Sequence, residues 1–573
     1  MAQKSIIDPV DRIEGHLRIE MEVTDGVVSD AWVSGGLFRG LELIVEGREP
    51  DDAALVAQRI CGVCPTSHCH ASVYAAEEAY GIHHPEGARI VRNMLEGAQY
   101  LHSHILWFYQ LGALDYVNPL RALTADPEKA TAVAQQLGLA VRDFKAVKER
   151  LVTFAENGQY SWLSGGWFME GQAPEAYKLP AEVDLIAVAH YIEALDMQAT
   201  ADEISAIIGG KMPHVMTSRP GGTCFYPNIE RLDDILARIK QLQKFLVDVQ
   251  VPDALAIAGV YLNDVASIGN NKHGRFMCYG VFDTAIDAEA GETEYDPKKR
   301  VFPPGITTID PVTHTVTRSE FDASLIEEQV KHSYYDPYTG EADSLPPLEG
   351  QTNPPKEFPG YDPSNKYSWC KAPRYDGKVM EVGPLARVLN AYTAGVPEIV
   401  DGINYGMAKL GLDPKKDLWK LNSAAGRLLA RPVEAMVVSM YMEDWLMELV
   451  DYIANTENPE FFTEKATATG EGVGLWEAPR GALLHCEKIK DNKITHYQAV
   501  VPTAWNISPR DNDDIPGTIE QALIGTPVAN VKAPINALRI VHGYDPCIAC
   551  AIHVVEPKTG KEFEMHTTPW GGR

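Results

Sequence analysis

What this 573-residue chain lacks narrows its function before any motif is read. It has no run of 18 or more apolar residues, the minimum for a bilayer-spanning helix, so no direct membrane insertion is expected. Positive charge is scarce. There are 51 Lys and Arg against 79 Asp and Glu, a formal net charge of -28, and such a surface repels phosphate backbones and anionic lipid, which argues against nucleic acid as a partner. The opening MAQKSIIDPVDRIEGH carries Asp8, Asp11 and Glu14 where a secretory signal needs an unbroken apolar stretch, so export would have to use a signal on another chain. Nine cysteines are too few for a disulfide scaffold in a chain this long. There is also no internal repeat, no glycine-rich dinucleotide fingerprint, and no third cysteine cluster to carry electrons.

What is present is 45% hydrophobic and 23% charged, ordinary for a globular protein. Leu17, Ile19, Met21 and Val23 alternate up to Asp25-Gly26, which predicts a β-hairpin over 17–34. A second hairpin is expected at 483–501, turning at Asp491-Asn492. Helical periodicity runs over 88–117, over 183–210 with Asp184 as its cap, and over 228–248, 384–411 and 420–455, the last with a kink or break at Pro432. The 279–375 stretch, rich in proline, glycine and tyrosine, reads as an ordered but strand-poor excursion. The fold class expected is mostly α with small antiparallel β-sheets (α+β): a large helical-bundle core over about 88–278 and 376–455, with the N- and C-terminal segments brought together around a metal site.

Four cysteines form two Cys-x-x-Cys turns, RICGVCPTSHCH at 59–70 and DPCIACAIH at 545–553. Each turn aims two sulfurs at one locus, and buried thiolates need a cation, a redox bond or a proton. From spacing alone the default is a tetrahedral zinc or iron–sulfur site; a thioredoxin-like pair explains one turn but not two. His68, His70 and His553 beside the sulfurs, with Asp545-Pro546 before the second pair, favour a catalytic metal over a structural zinc. Spacing leaves the metal open. Cys69, Cys224, Cys278, Cys370 and Cys486 read as small buried hydrophobes, with Cys69 kept open because it adjoins the first pair.

RIEGH (12–16), RICGVCPTSH (59–68), GGKMPH (209–214), EVGPLA (381–386), EAPRG (477–481) and DPCIACAIH (545–553), in this order, resemble the large, catalytic subunit of nickel-iron hydrogenases, over essentially the full chain. The resemblance implies that Cys61, Cys64, Cys547 and Cys550 bind nickel. Cys64 and Cys550 would bridge to an iron carrying carbon monoxide and two cyanides, with Cys61 and Cys547 terminal; position 547, selenocysteine in some relatives, is cysteine here. It further implies a magnesium ion on Glu42, the Ala499 carbonyl and His553, completed by waters. Such an anionic cluster calls for cationic donors, and Arg480 in EAPRG, beside Pro479, is the arginine poised over the metals. Asp115 and Asp545 would orient it, His68 would donate to a bridging sulfur, and Thr503 would bond a cyanide. Leu483 and Pro502 would wall the carbon monoxide pocket.

The activity so implied is heterolytic cleavage of H2, with Cys547 as first proton acceptor and Glu14 as onward carrier. Partners would be an iron–sulfur small subunit, with His214 near the contact, nickel-insertion proteins, and an endopeptidase that cuts after His553. Residues 1–553 would then form the hydrogenase domain and 554–573 a cleavable extension. Readings from other classes are a hydrogen sensor of the same fold, a metal-free structural or quinone-binding relative, and a zinc-stapled scaffold. The side of the membrane stays open, with a periplasmic or membrane-associated place through the small subunit favoured over a cytoplasmic one, since that subunit's signal can carry a folded pair across.

Overall fold

The computed structural model describes residues 3–159, 176–286, 296–340, 342–467 and 469–551, without the side chains of 550 and 551. Cys550's sulfur, His553 and the 554–573 extension therefore lie outside the described residues. The first sheet has order β1-β2-β3, from β1 (Gln3–Ile7), β2 (Leu17–Thr24) and β3 (Val27–Gly35). Leu17, Ile19, Met21 and Val23 are buried as their alternation predicts, and Asp25 and Gly26 turn the hairpin with positive φ.

Helix α1 (Pro65–Tyr80) begins directly after the first cysteine pair, and α2 (Glu86–Leu106) follows it. Then come α3 (Ala181–Gly209), α4 (Ile229–Phe245) and α5 (Val251–Val265), the last two joined by a π turn at Leu246–Gln250. After the excursion lie α6 (Pro384–Ala394), α7 (Pro397–Lys409) and α8 (Ala424–Asn455). Helix α2 packs against both α3 and α8, and α8 also receives α4, α5, α6 and α7. Shorter helices Pro127–Leu137 and Phe144–Glu156 pack on α3. The α4–α5 run, Ile229–Val265, is long and apolar enough to cross a membrane, but half of its apolar window is buried, as in a core helix.

Several expectations change. The 384–411 helix is two helices, because Gly395 ends α6 in the left-handed conformation. Of the kink or break expected at Pro432, the break is absent, since α8 runs through that residue as one helix. Asp184 does not cap α3. It lies buried in the first turn and accepts hydrogen bonds from the Asn118 amide (2.9 Å) and Arg121 Nε (2.6 Å).

The 279–375 excursion is not strand-poor, since seven short strands fall among its described residues. Three-stranded sheets form from β4 (Arg275–Cys278), β5 (Gly305–Ile309) and β6 (Val316–Ser319), in order β6-β5-β4, and from β7 (Ile326–Gln329), β8 (Ser344–Leu345) and β9 (Ala372–Tyr375), in order β8-β7-β9. Strands of two to five residues show too little alternation to be read against the surrounding turns. Cys224 is exposed, unlike the other four scattered cysteines, which are buried as expected.

The C-terminal sheet joins β10 (Gly470–Ala478), β11 (Gly481–Lys490) and β12 (Lys493–Val500), turning at Asp491-Asn492 as predicted. Helix α1 lies across β10 at backbone distance. A Cβ on Gly470, Gly472 or Gly474 would come within 2.3, 2.0 and 1.9 Å of the carbonyls of Ala79, Ala75 and Ala71. Glycines two apart share a strand face and alanines four apart share a helix face, so the two stripes mate. This contact sets the first cysteine turn, at the head of α1, against the strand that leads into Arg480. Towards the end of the described residues lie α9 (Pro502–Asn506), α10 (Ile535–Tyr544) and α11 (Ile548–Ala551).

Candidate metal centre

Cys61 leaves a 3-10 turn in extended conformation, and Cys64 sits at the N-cap of α1, whose first position is Pro65. The Val63 and Cys64 amides both lie 3.2 Å from Cys61 Sγ, and with the helix N-terminus they favour a thiolate there. The second turn follows α10, which Asp545 ends in a left-handed conformation. Cys61 Sγ lies 3.3 Å from Cys547 Sγ, far beyond a disulfide bond length. These two and Cys64 keep their sulfurs within 4.8 Å of one another, all buried. Cys69 stands apart: its Sγ faces the Ser218 carbonyl at 3.7 Å, and burial pushes its thiol up to about 12.

Two segments clamp the ends of the chain together. The backbone at Glu14 pairs in parallel with Cys547, the Glu14 carbonyl accepting from the Ile548 amide at 2.8 Å. Gly15 makes this possible, since a Cβ there would sit 2.7 Å from the Ile548 Cβ. Arg39, which the sequence did not single out, donates to the carbonyls of Arg59 (2.9 Å), Ile60 and Ala549 (2.7 Å), tying the first cysteine turn to the second.

Around the sulfurs, Glu14 Oε2 faces Cys547 Sγ at 3.3 Å and accepts from the Ala549 amide at 2.6 Å. Burial, then the Cys61 thiolate, raise the Glu14 pKa, opposed by the Ala549 amide, Cys547 and Arg480. Arg480 is 2% exposed and donates to Asp545 Oδ1 at 3.0 Å and to Ser103 Oγ at 3.4 Å. Burial acts to neutralise it, but Asp545 and the sulfurs of Cys547, Cys64 and Cys61 outweigh that and raise its pKa well above the ordinary value. Thr503 Oγ1 accepts the Cys547 amide at 3.1 Å, and Leu483, Pro502 and Thr503 are buried.

Asp115 is a correction: it does not orient Arg480. Its carboxylate bonds Arg12 Nη2 at 2.6 Å and His542 Nδ1 at 2.7 Å. Burial opposes its charge, yet Arg12 and then His542 hold it down to about 2. Asp115 thus braces RIEGH against α10.

Arg387 does the bracing expected of Asp115. It donates to the carbonyls of Ala478 (2.8 Å) and Pro479 (2.7 Å), and it pairs with Glu434 and Glu477. Its place one residue past EVGPLA was the available signal. Glu42 is buried and accepts from Thr352 (2.8 Å), Gln498 (2.7 Å) and the Ala499 amide (3.2 Å). His68 Nδ1 meets His485 Nε2 at 3.0 Å.

Three buried sulfurs without a disulfide, ringed by amide and guanidinium donors, fit a soft transition metal. The class defined is a metalloprotein whose centre joins the two ends of its chain. The family profile for nickel-dependent hydrogenase matches residues 39–553. The chain is 38% identical to the Hydrogenase-2 large chain of Escherichia coli K12, over 97% of this chain and 98% of that one. It is 37% identical to the uptake hydrogenase large subunit of Rhizobium leguminosarum bv. viciae, over 97% and 96%. Among solved structures, the nickel–iron–selenium hydrogenases of Desulfomicrobium baculatum and Desulfovibrio vulgaris Hildenborough superpose with TM-scores of 0.75 and 0.76, at 35% and 34% identity, each over 96% of this chain and 100% of theirs. The chain belongs to the nickel-dependent hydrogenase family, as the catalytic large subunit of a nickel–iron enzyme that oxidises H2. Residues 61, 64, 547 and 550 are all cysteine in it.

Proposed function

We propose that Cys61, Cys64, Cys547 and Cys550 hold nickel, that Cys64 and Cys550 share it with an iron bearing carbon monoxide and two cyanides, and that electrons leave through an iron–sulfur small subunit. The single observation that carries this is the 3.3 Å approach of Cys61 and Cys547 across 486 positions of chain. When bound, the metal pair acts as a Lewis acid that lets H2 split heterolytically.

The chain's own groups then move the proton. Arg480 stays protonated and cannot accept it, so it polarises and positions. The Cys547 thiolate is the first acceptor, and Glu14 Oε2, at 3.3 Å, takes the proton onward. Asp545 holds the Arg480 fork. Thr503 uses its lone pair on the Cys547 amide, which leaves its hydroxyl hydrogen for a cyanide. Pro479, Pro502 and Leu483 exclude water from the diatomic ligands. Glu42, with the Ala499 carbonyl and His553, would hold magnesium. Removal of residues 554–573 after His553 by an endopeptidase completes the mature chain, read as a C-terminus at His553 by mass spectrometry.

Infrared bands of bound carbon monoxide and cyanide, a nickel-to-iron ratio near one, and H2 uptake with an artificial dye are the expected results. Zinc without nickel or such bands would sink the reading; bands with very low turnover would turn it toward a sensor.

A further inference from the structure

Helix α1 and the C-terminal sheet bring three ring side chains into one line. His68 Nδ1 lies 3.0 Å from His485 Nε2, and His485 Nδ1 lies 2.5 Å from the Tyr497 hydroxyl. His485 is on β11 and Tyr497 on β12, and all three side chains are buried. With both imidazoles neutral, each contact needs one hydrogen, so the line has one of two polarities. At a contact between a phenol and an imidazole, the phenol is the better donor and the unprotonated ring nitrogen the better acceptor. Tyr497 therefore donates to His485 Nδ1. The His485 hydrogen must then sit on Nε2, where it donates to His68 Nδ1, and the His68 hydrogen is left on Nε2. The opposite polarity would make the phenol oxygen the acceptor at its shortest contact and leave His68 Nε2 with a lone pair.

We infer that His485 and Tyr497 are positioning residues for the H2 reaction: through the line Tyr497–His485–His68 they hold His68 as the Nε2–H tautomer, the form needed if His68 donates to a bridging sulfur as the family resemblance implies. This rests on the metal-site reading above, and it adds the two residues that decide which His68 nitrogen carries hydrogen. Orientation of a histidine beside a metal site by a partner on its other nitrogen is a general device, and losing such a partner costs roughly 10–100-fold in activity or metal affinity.

Neutron diffraction of the deuterated wild-type heterodimer tests it without reference to turnover. Deuterium is expected on His485 Nε2 and His68 Nε2 and on neither Nδ1; deuterium on His68 Nδ1 overturns the inference. In the metal-loaded enzyme, Tyr497→Phe should shift the infrared bands of the diatomic ligands and lower H2 uptake about tenfold. Unshifted bands in Tyr497→Phe at wild-type nickel and iron content would refute the role. Wild-type protein with no nickel would instead refute the functional reading and leave the neutron result to stand or fall by itself.

Discussion

Glu14 Oε2 lies 3.3 Å from Cys547 Sγ, although 533 positions of chain separate the two residues. The carboxyl is half-buried with its pKa raised, first by burial and then by Cys61, so it can take a proton from the sulfur and release it. Glu14→Gln keeps the shape and the Ala549 contact but cannot cycle a proton. Nickel and iron content should be unchanged, while H2/D2O isotope exchange should fall by about 100-fold or more. Full exchange in that variant would remove Glu14 from the path.

Arg39 is the one side chain seen to bond carbonyls of both cysteine segments, at Ile60 and Ala549, among the described residues. Hydrogen bonds from a charged donor contribute about 1.5–3 kcal/mol each. Arg39→Met should fold yet load nickel poorly, with Arg39→Lys intermediate. The check is the nickel-to-protein ratio of purified chain, and wild-type loading in the methionine variant would contradict the tie.

Gly474 meets Ala71 with no room for a side chain, since a Cβ would lie 1.9 Å from that carbonyl. Gly474→Val should destabilise by about 3 kcal/mol or more, because the obstruction is backbone rather than a side chain that can swing away. Denaturant unfolding measures it. A wild-type midpoint would mean that α1 can lift from β10 at little cost.

Glu487 is fully buried, and neither of its carboxylate oxygens meets a donor among the described residues. Burial pushes it up to about 8, with Lys465 opposing and Asp51 adding, whereas an unfolded glutamate titrates near about 4.3. The folded state thus binds this proton more tightly. Its stabilising contribution is complete below about pH 4.3 and is lost as pH rises through about 8. Burial acts in the same sense on Glu477 and Glu520, each up to about 7. Glu487→Gln should therefore raise the melting temperature relative to wild type by more at pH 9 than at pH 6; an equal effect at both values would show that the carboxyl is not protonated in the fold.

Both hairpins and most long helices were legible because their periodicity runs over eight or more residues and meets a clear stop. The short strands of 279–375 were not, and neither was the division at Gly395, where a left-handed glycine interrupts an otherwise continuous helical pattern. At the site, the cysteine turns, Glu14, Arg480 and Asp545 could be read from local chemistry and family resemblance. Asp115 was placed on the wrong partner, because an acid at a helix end carries no mark of which arginine it will meet.

The order of residues by itself determined which donor groups are available: two Cys-x-x-Cys turns, an acid in RIEGH and an arginine in EAPRG. Only the tertiary structure decided that these pieces meet. Their meeting depends on contacts between segments hundreds of residues apart, on glycine stripes that mate only when helix lies on strand, and on single guanidinium groups such as Arg39 and Arg387 whose carbonyl partners have no signature in the sequence.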